Sequence, residues 1–180
     1  MSNAETPSHA PRRRPRIAPL VAAVGLSLMA TALPAASEEF AFEGEATGSL
    51  SITPAKGGVL LRVTLNGLPA STWVAMHVHE NPVCDTAGGH EAAGGHFNPA
   101  NVTHGWLSET GPHAGDLPNL RVDATGTAEA EVFTPLLTAE AGDASIRGRS
   151  VIIHEKADDY KSQPSGDAGR RLACAIVPAP

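Results

Sequence analysis

Apolar and polar residues alternate along much of this chain with a period of two, the pattern of a β-strand with one buried face. The run 57–68 is the clearest example, because positions 59, 61, 63 and 65 are all Val or Leu while Arg62 and Thr64 lie between them. The run ends at Asn66 and Gly67, a dipeptide typical of turns. We therefore predict a half-buried strand that ends at this turn.

Comparable segments predict further strands. They are residues 44–54, 72–80, 148–155 and 171–177, together with a hairpin over 119–133 that turns near Thr125 and Gly126. No amphipathic helix of ten or more residues is predicted, and a chain of 180 residues suits one compact domain. Short strands punctuated by Gly and Pro predict an all-β fold, either an antiparallel sandwich or a barrel.

Two long segments, 81–120 and 156–169, do not fit strands and are rich in Gly, Pro, Asp and His. Long ordered loops in a small domain are usually functional. We therefore expect these loops to carry the functional residues.

Residues 1–36 are predicted to be an export signal, and residues 37–180 the folded domain. A basic patch at 11–16 precedes the apolar run 17–33, which is followed by small residues suited to cleavage. A retained single-span anchor is the alternative, because a run of this length is at the lower limit for crossing a bilayer. The signal places the mature protein in the periplasm or outside the cell, without stable insertion in a membrane.

Removal of the signal leaves a strongly acidic protein. Residues 38–180 contain nine basic and eighteen acidic side chains, a formal charge of −9, whereas the whole chain carries −6. Because nucleic-acid binding depends on neutralising phosphates with basic side chains, we do not expect nucleic acid as a partner.

The two cysteines, Cys84 and Cys174, both lie in the predicted exported part. In an oxidising compartment they can form one disulfide, which would stabilise the fold by roughly 4 to 5 kcal/mol in the chain-entropy model. Two free buried thiols are the alternative.

The spacing of the histidines indicates metal binding. His77 and His79 are two residues apart on a predicted strand, so both imidazoles point to the same face. Histidine is a common ligand of both copper and zinc, and three histidines with one aspartate suit tetrahedral zinc. The further candidate ligands are His96, His104, His113, Asp116 and His154. Seven candidate ligands point to two metals.

Five motifs occur in order along the domain. They are HVHE at 77–80, AGGHFNP at 93–99, GPHAGDLPNL at 111–120, IIHEKADDY at 152–160 and GDAGRRLAC at 166–174. As a set they resemble the copper/zinc superoxide dismutases of the exported bacterial type, over about residues 44–177. The resemblance implies an eight-stranded antiparallel Greek-key β-barrel or sandwich, one copper and one zinc per subunit, and dismutation of superoxide to molecular oxygen and hydrogen peroxide.

The resemblance also assigns roles by position. His96 would bind both metals as a bridging imidazolate. The implied copper ligands are His77, His79, His96 and His154. The implied zinc ligands are His96, His104, His113 and Asp116.

Other residues gain roles from the same motifs. Asp158 would accept hydrogen bonds from one copper histidine and one zinc histidine, here His77 and His104. Arg171 would attract and orient the superoxide anion, with Lys161 as a further candidate for steering it. Cys84 and Cys174 match the intrasubunit disulfide of the family.

His90 repeats the AGGH phrase of His96 but has no partner at the family's spacing, so we interpret it as a solvated loop residue.

The alternative function is a non-catalytic copper-binding or copper-delivering module on the same fold. A purely structural zinc domain is disfavoured by the second ligand set. The oligomeric state is left open, with a homodimer as one option.

Overall fold

The computed structural model describes residues 37–180, so the predicted export signal lies outside the described residues. Within them, nine β-strands and one 3₁₀ turn at Glu91–Ala93 form the regular structure. No helix of this part of the chain is long and apolar enough to span a membrane. The strands are β1 Glu38–Gly44, β2 Thr47–Ala55, β3 Gly58–Asn66, β4 Trp73–Val74, β5 Met76–His79, β6 Leu120–Arg121, β7 Ala128–Thr134, β8 Arg149–His154 and β9 Arg171–Val177.

Seven strands form one curled antiparallel sheet in the order β5-β8-β9-β1-β2-β3-β7. Strands β4 and β6 form a second, two-stranded ladder. This ladder links the two edges of the large sheet, because β4 leads directly into the edge strand β5 and β6 leads through a turn into the edge strand β7. The non-consecutive pairs β1 with β9 and β3 with β7 are crossovers of the Greek-key kind.

Alternation along the strands places the core on one side of the sheet. In β3, Val59, Leu61, Val63 and Leu65 are at most 1% exposed, as their spacing predicts, while Arg62 on the other face is exposed. Strands β5 and β8 differ, because both of their faces are buried. One face contacts the core, and the other lies beneath the loops at 80–119 and 155–170.

The all-β prediction and the two predicted long loops are confirmed, and three details differ. Strand β1 was not predicted. The segment 72–80 is interrupted at Ala75, whose N–H donates to the carbonyl of Lys156, so it forms two strands. With β4 and β5 taken as one interrupted strand, the number agrees with the eight expected.

The predicted hairpin at 119–133 is also different. A turn does form there, held by the side chain of Asp123, which accepts from the N–H groups of Thr125 and Thr127. The strands on its two sides pair elsewhere, β6 with β4 and β7 with β3.

Candidate metal centre

The outer face of β5 provides the first two histidines. Met76 and Val78 point into the hydrophobic core, so the intervening His77 and the following His79 point to the opposite face. Both are buried, with exposures of 0% and 1%. His154, at the end of the neighbouring strand β8, is also buried.

The long loop at 80–119 folds back along β5 and adds further ligands. Val78 donates its N–H to the carbonyl of Gly115 at 2.9 Å and accepts from the N–H of Phe97 at 2.8 Å. These bonds place Asp116 opposite His77 and His96 opposite His79, as two isolated bridges. Backbone pairing therefore delivers loop residues to the histidine face.

Four histidines converge in the first cluster, and their candidate ligand atoms lie within 4.8 Å of one another. Each ring has one buried nitrogen without a hydrogen-bond partner among the described residues. These atoms are His77 Nδ1, His79 Nε2, His96 Nε2 and His154 Nε2. A buried imidazole nitrogen normally has a partner, so four unpartnered nitrogens in one group fit a metal ion.

Burial also keeps these rings neutral, the form that binds metals. It lowers the pKa of His77, and it lowers the pKa values of His79 and His154 well below their ordinary value. Burial lowers the pKa of His96 to about 4, although the hydrogen bond with Asp116 opposes this.

A second cluster surrounds the carboxylate of Asp116, which is fully buried. Its Oδ2 accepts from the N–H groups of Gly105 at 2.8 Å and His113 at 2.9 Å. Its Oδ1 lies 2.8 Å from His96 Nδ1, 3.0 Å from His104 Nδ1 and 3.3 Å from His113 Nδ1. Three ring nitrogens around one carboxylate oxygen form a donor set suited to tetrahedral zinc.

His96 belongs to both clusters. Its Nδ1 faces Asp116, whereas its Nε2 is the unpartnered atom of the four-histidine group. The two nitrogens of one ring therefore serve different sites.

Asp158 connects the two clusters, because it forms a hydrogen bond with one histidine of each. Its Oδ2 accepts from His77 Nε2 at 2.8 Å, and its Oδ1 accepts from His104 Nε2 at 3.0 Å. Burial opposes charge on His104, but hydrogen bonds with Asp116 and Asp158 outweigh it and raise the pKa of the metal-free ring to about 9. Gly166 covers this contact, and a Cβ at that position would lie 1.8 Å from Asp158 Oδ1.

Three residues that hold the loops together were not identified from the sequence. The side chain of Asn119 accepts from the N–H of Asp158 and donates to its carbonyl, at 2.8 and 2.9 Å. The side chain of Gln163 makes the same pair of bonds to the main chain of His104, both at 2.9 Å. The Tyr160 hydroxyl accepts from the N–H of Asn119. No local pattern marks these residues, because their partners lie more than 35 positions away.

Arg171 lies at the entrance to the four-histidine cluster. It lines a cleft of about 260 Å³ together with His79, His96, His154 and Glu91. Its Nη1 donates to the carbonyl of His90 at 2.7 Å and its Nη2 to that of Gly94 at 2.8 Å, which fixes the guanidinium. Lys161 is exposed and is not among the residues that line this cleft.

The match to known proteins agrees with this geometry. The family model for copper/zinc superoxide dismutase matches residues 46–177. The chain belongs to this family. Superoxide dismutase [Cu-Zn] 2 of Aquifex aeolicus is 38% identical over 139 residues, covering 75% of this chain and 81% of that protein. The enzyme of Caulobacter vibrioides is 37% identical over 141 residues, covering 75% and 80%.

Solved structures show the same likeness to the dismutase fold. A SOD-like protein from Bacillus subtilis, known from a crystal structure, is 32% identical with a TM-score of 0.75, over 79% of this chain and 99% of that one. The family expected from the motifs is thereby confirmed, as are the all-β fold and the family's use of copper and zinc. Relatives named superoxide dismutase support the expectation of an enzyme.

The family's disulfide position is filled here, since Cys84 and Cys174 are joined. The interpretation of His90 is wrong, however. Its side chain packs beside this disulfide, and the residue is only 2% exposed. The spacing of His90 excluded it from the two metal clusters, but it could not reveal that the loop folds inward.

Proposed function

We propose that this protein dismutates superoxide, converting two superoxide anions and two protons into one molecule of oxygen and one of hydrogen peroxide. The observation that carries the proposal is the group of four buried, unpartnered histidine nitrogens beside a cleft that Arg171 lines. Membership of the superoxide dismutase family supports the same reaction.

The four-histidine cluster is proposed to hold copper. Its donor atoms are the unpartnered nitrogens of His77, His79, His96 and His154. Copper, when bound there, supplies the one-electron exchange that oxidises one superoxide and reduces the next. The protein keeps the rings in place through their other nitrogens, since His79 Nδ1 donates to Gly94 at 2.9 Å and His77 Nε2 donates to Asp158.

The cluster around Asp116 is proposed to hold zinc, through the Nδ1 atoms of His96, His104 and His113 and through Asp116 Oδ1. Zinc has no redox chemistry, so this site is structural. It would fix His96 and the long loop against β5. Asp158 supports the site by holding His104 in one ring orientation.

His96 is proposed to carry a proton in the reaction. A ring that binds both metals must lose both of its protons, and the positive charge of each metal lowers the free-energy cost of that loss. His96 lines the cleft where substrate enters, and its Nε2 is the unpartnered atom of the four-histidine group. This nitrogen can therefore take up a proton and release it to the departing peroxide.

Arg171 is proposed to bind the substrate anion. Its Nη1 and Nη2 each donate to one backbone carbonyl, and Nη2 also lies 3.7 Å from Glu91 Oε2. A guanidinium has five N–H groups, so further donors remain for an anion. A local positive charge is needed because the protein as a whole is acidic. Steering by Lys161 remains a separate prediction, which the salt dependence of Lys161→Gln would test.

Export from the cytoplasm is proposed on two grounds. The disulfide between Cys84 and Cys174 is typical of an oxidising compartment. The pattern at residues 11–36 is that of a signal, although it lies outside the described residues.

The test is to load the purified protein with copper and zinc and to measure superoxide consumption. We expect rapid consumption by the parent protein and a loss of at least about 100-fold in His154→Ala, because a ligand of the redox metal is removed. Arg170→Ala is the control, since Arg170 pairs with Glu45 and Glu155 away from the cleft.

A fully metallated parent that consumes superoxide no faster than buffer would exclude the enzyme. Tight copper binding without consumption would favour the non-catalytic copper module, and a relative from Bacillus subtilis is named only superoxide dismutase-like.

A further inference from the structure

His90 has chemistry that the two metal clusters do not use. Its ring lies beside the disulfide, and candidate ligand atoms of Cys84, His90 and Cys174 lie within 4.8 Å of one another. His90 is 2% exposed and Cys174 is fully buried. His90 Nδ1 is buried and has no hydrogen-bond partner among residues 37–180.

We propose that reduction of the disulfide converts these three residues into a copper(I) site, with two thiolates and the imidazole of His90 as ligands. The site is separate from the four-histidine cluster and does not depend on the proposed reaction. It exists only in the reduced chain.

The conversion balances with a dithiol as reductant. The dithiol provides two electrons and two protons, the bond between Cys84 Sγ and Cys174 Sγ breaks, and two thiols form while the dithiol closes its own disulfide. Copper(I) then replaces the two thiol protons, which are released to solvent. No electron is transferred in this second step.

The donor set suits copper(I). Thiolates are soft ligands that favour copper(I). Three donors are sufficient for copper(I), whereas zinc on the same three residues would need a fourth ligand such as water. Two thiolates with copper(I) carry a net charge of −1. Arg171, which donates to the carbonyl of His90, would offset part of this charge, whereas the carboxylates of Glu43 and Asp85 near the His90 ring would oppose it.

An entry path lies on the same side. Thr86, Gly89, His90 and Arg171 line a cavity of about 200 Å³, distinct from the cleft at the four-histidine cluster. Cys84 is only partly buried. Copper(I) can therefore approach His90 through the cavity and Cys84 from its exposed side, whereas Cys174 is reached only through these two residues.

The test compares the full chain in two metal-free forms, disulfide-bonded and dithiol-reduced, under anoxic conditions. Each form is titrated with copper(I) against a chromophoric copper(I) chelator. We expect the reduced form to bind one equivalent more than the oxidised form and to develop an ultraviolet thiolate-to-copper charge-transfer band. The four-histidine cluster is present in both forms, so subtracting the copper(I) bound by the oxidised form from that bound by the reduced form removes its contribution.

Variants identify the ligands. Reduced His90→Ala should bind the extra equivalent at least tenfold more weakly while both thiols still react with a thiol reagent. Glu131→Gln, on the surface of β7 where Glu131 pairs with Arg62, should retain it. His90 has a left-handed backbone conformation with a φ of 60°. Asn tolerates this conformation, so His90→Asn provides a second variant should His90→Ala fail to fold.

Two results would overturn the proposal. One is a reduced parent protein that takes up no more copper(I) than the oxidised one. The other is a folded His90 variant whose copper(I) affinity and charge-transfer band equal those of the parent. Neither result would bear on superoxide consumption, so the proposed function stands or falls separately.

Discussion

Arg171 donates a hydrogen bond from Nη1 to the backbone carbonyl of His90 at 2.7 Å. His90 adopts a left-handed backbone conformation with a φ of 60°, and its buried ring packs beside the disulfide. The orientation of its carbonyl therefore depends on a buried side chain and a rarely populated backbone state. The guanidinium of Arg171 is therefore held in part by His90, for which the sequence pattern predicted no functional role.

Substitution of His90 should therefore reduce activity without removing metals. In His90→Ala the buried ring is lost and the left-handed conformation is less favourable, so the carbonyl that orients Arg171 shifts. We expect about a tenfold loss of superoxide consumption, because a misplacement of about 1 Å can cost about 100-fold and only one of the two carbonyl bonds to Arg171 is disturbed.

The matched control is His90→Asn, which tolerates the left-handed conformation and should lose less activity than His90→Ala. Metal content is measured in parallel. Equal activity of His90→Ala and the parent protein would contradict the positioning role.

Arg171 and Glu91 should have opposite effects on the capture of anions. Their side chains form an ion pair at 3.7 Å on the wall of the same cleft, with 14% and 76% of their surfaces exposed. Arg171→Gln should slow superoxide consumption about tenfold or more and weaken its dependence on ionic strength. Glu91→Gln removes a negative charge beside the anion path and should speed consumption at low salt.

Binding of azide, followed by absorption of the copper site, provides a readout separate from turnover. Azide affinity should fall in Arg171→Gln and rise in Glu91→Gln. A parallel change in both variants would contradict an electrostatic role for this pair.

The shared ring of His96 predicts a distinctive pattern of metal loss. His79→Ala should lower copper content and retain zinc, since His79 belongs to the four-histidine cluster alone. His113→Ala should do the reverse. His96→Ala should lower both. Elemental analysis after dialysis measures each metal, and retention of both metals by His96→Ala would exclude the shared site.

Most of this centre could be predicted from the sequence because its ligands are delivered by regular structure. The period of two predicts that Val59 and Leu61 point into the core and that His77 and His79 share one face. The structure agrees with both predictions. The ligands on the loop followed from the family's motifs, which preserve the spacing of His96, His104 and Asp116.

The parts that could not be predicted depend on contacts between distant segments. Asn119 and Gln163 join the two loops through single side chains, and such bonds leave no periodic signal. The burial of His90 depends on how the loop after Cys84 folds beneath Arg171. Spacing describes which residues share a face, but it does not describe which side of a loop faces the protein.

The metal-free protein should be most stable near pH 6.5. The pKa of His104 is raised to about 9, so its stabilising effect is fully present below the ordinary value of 6.5 and is lost as the pH rises to about 9. The loss is on the order of 3 kcal/mol. The pKa of His96 is lowered to about 4, so the unfolded chain binds a proton more readily below pH 6.5 and stability also falls with acid.

Denaturant unfolding of the metal-free protein between pH 5 and 10 measures how the free energy of unfolding changes below and above pH 6.5. His104→Ala should remove most of the loss above pH 6.5. Zinc should also remove it, because a metal on His104 Nδ1 displaces the proton. A stability that rises between pH 6.5 and 9 would contradict the predicted direction.

Gly166 provides the sharpest steric test of the contact between Asp158 and His104. Its φ is 70°, and a Cβ there would lie 1.8 Å from Asp158 Oδ1 and 2.8 Å from His104 Nε2. Gly166→Ala must therefore displace the carboxylate that holds both His77 and His104. We expect zinc affinity to fall about 10- to 100-fold, the usual effect of losing a group that orients a metal ligand.

Gly57→Ala separates this clash from backbone strain. Gly57 has a similar φ of 79°, but a Cβ there meets nothing within 4 Å. Both substitutions should cost about 1 kcal/mol of stability from the left-handed backbone, whereas zinc affinity should fall only in Gly166→Ala. Competition with a zinc chelator measures the affinities. Equal zinc affinity in the two variants would show that Asp158 does not need its present position to support the zinc ligands.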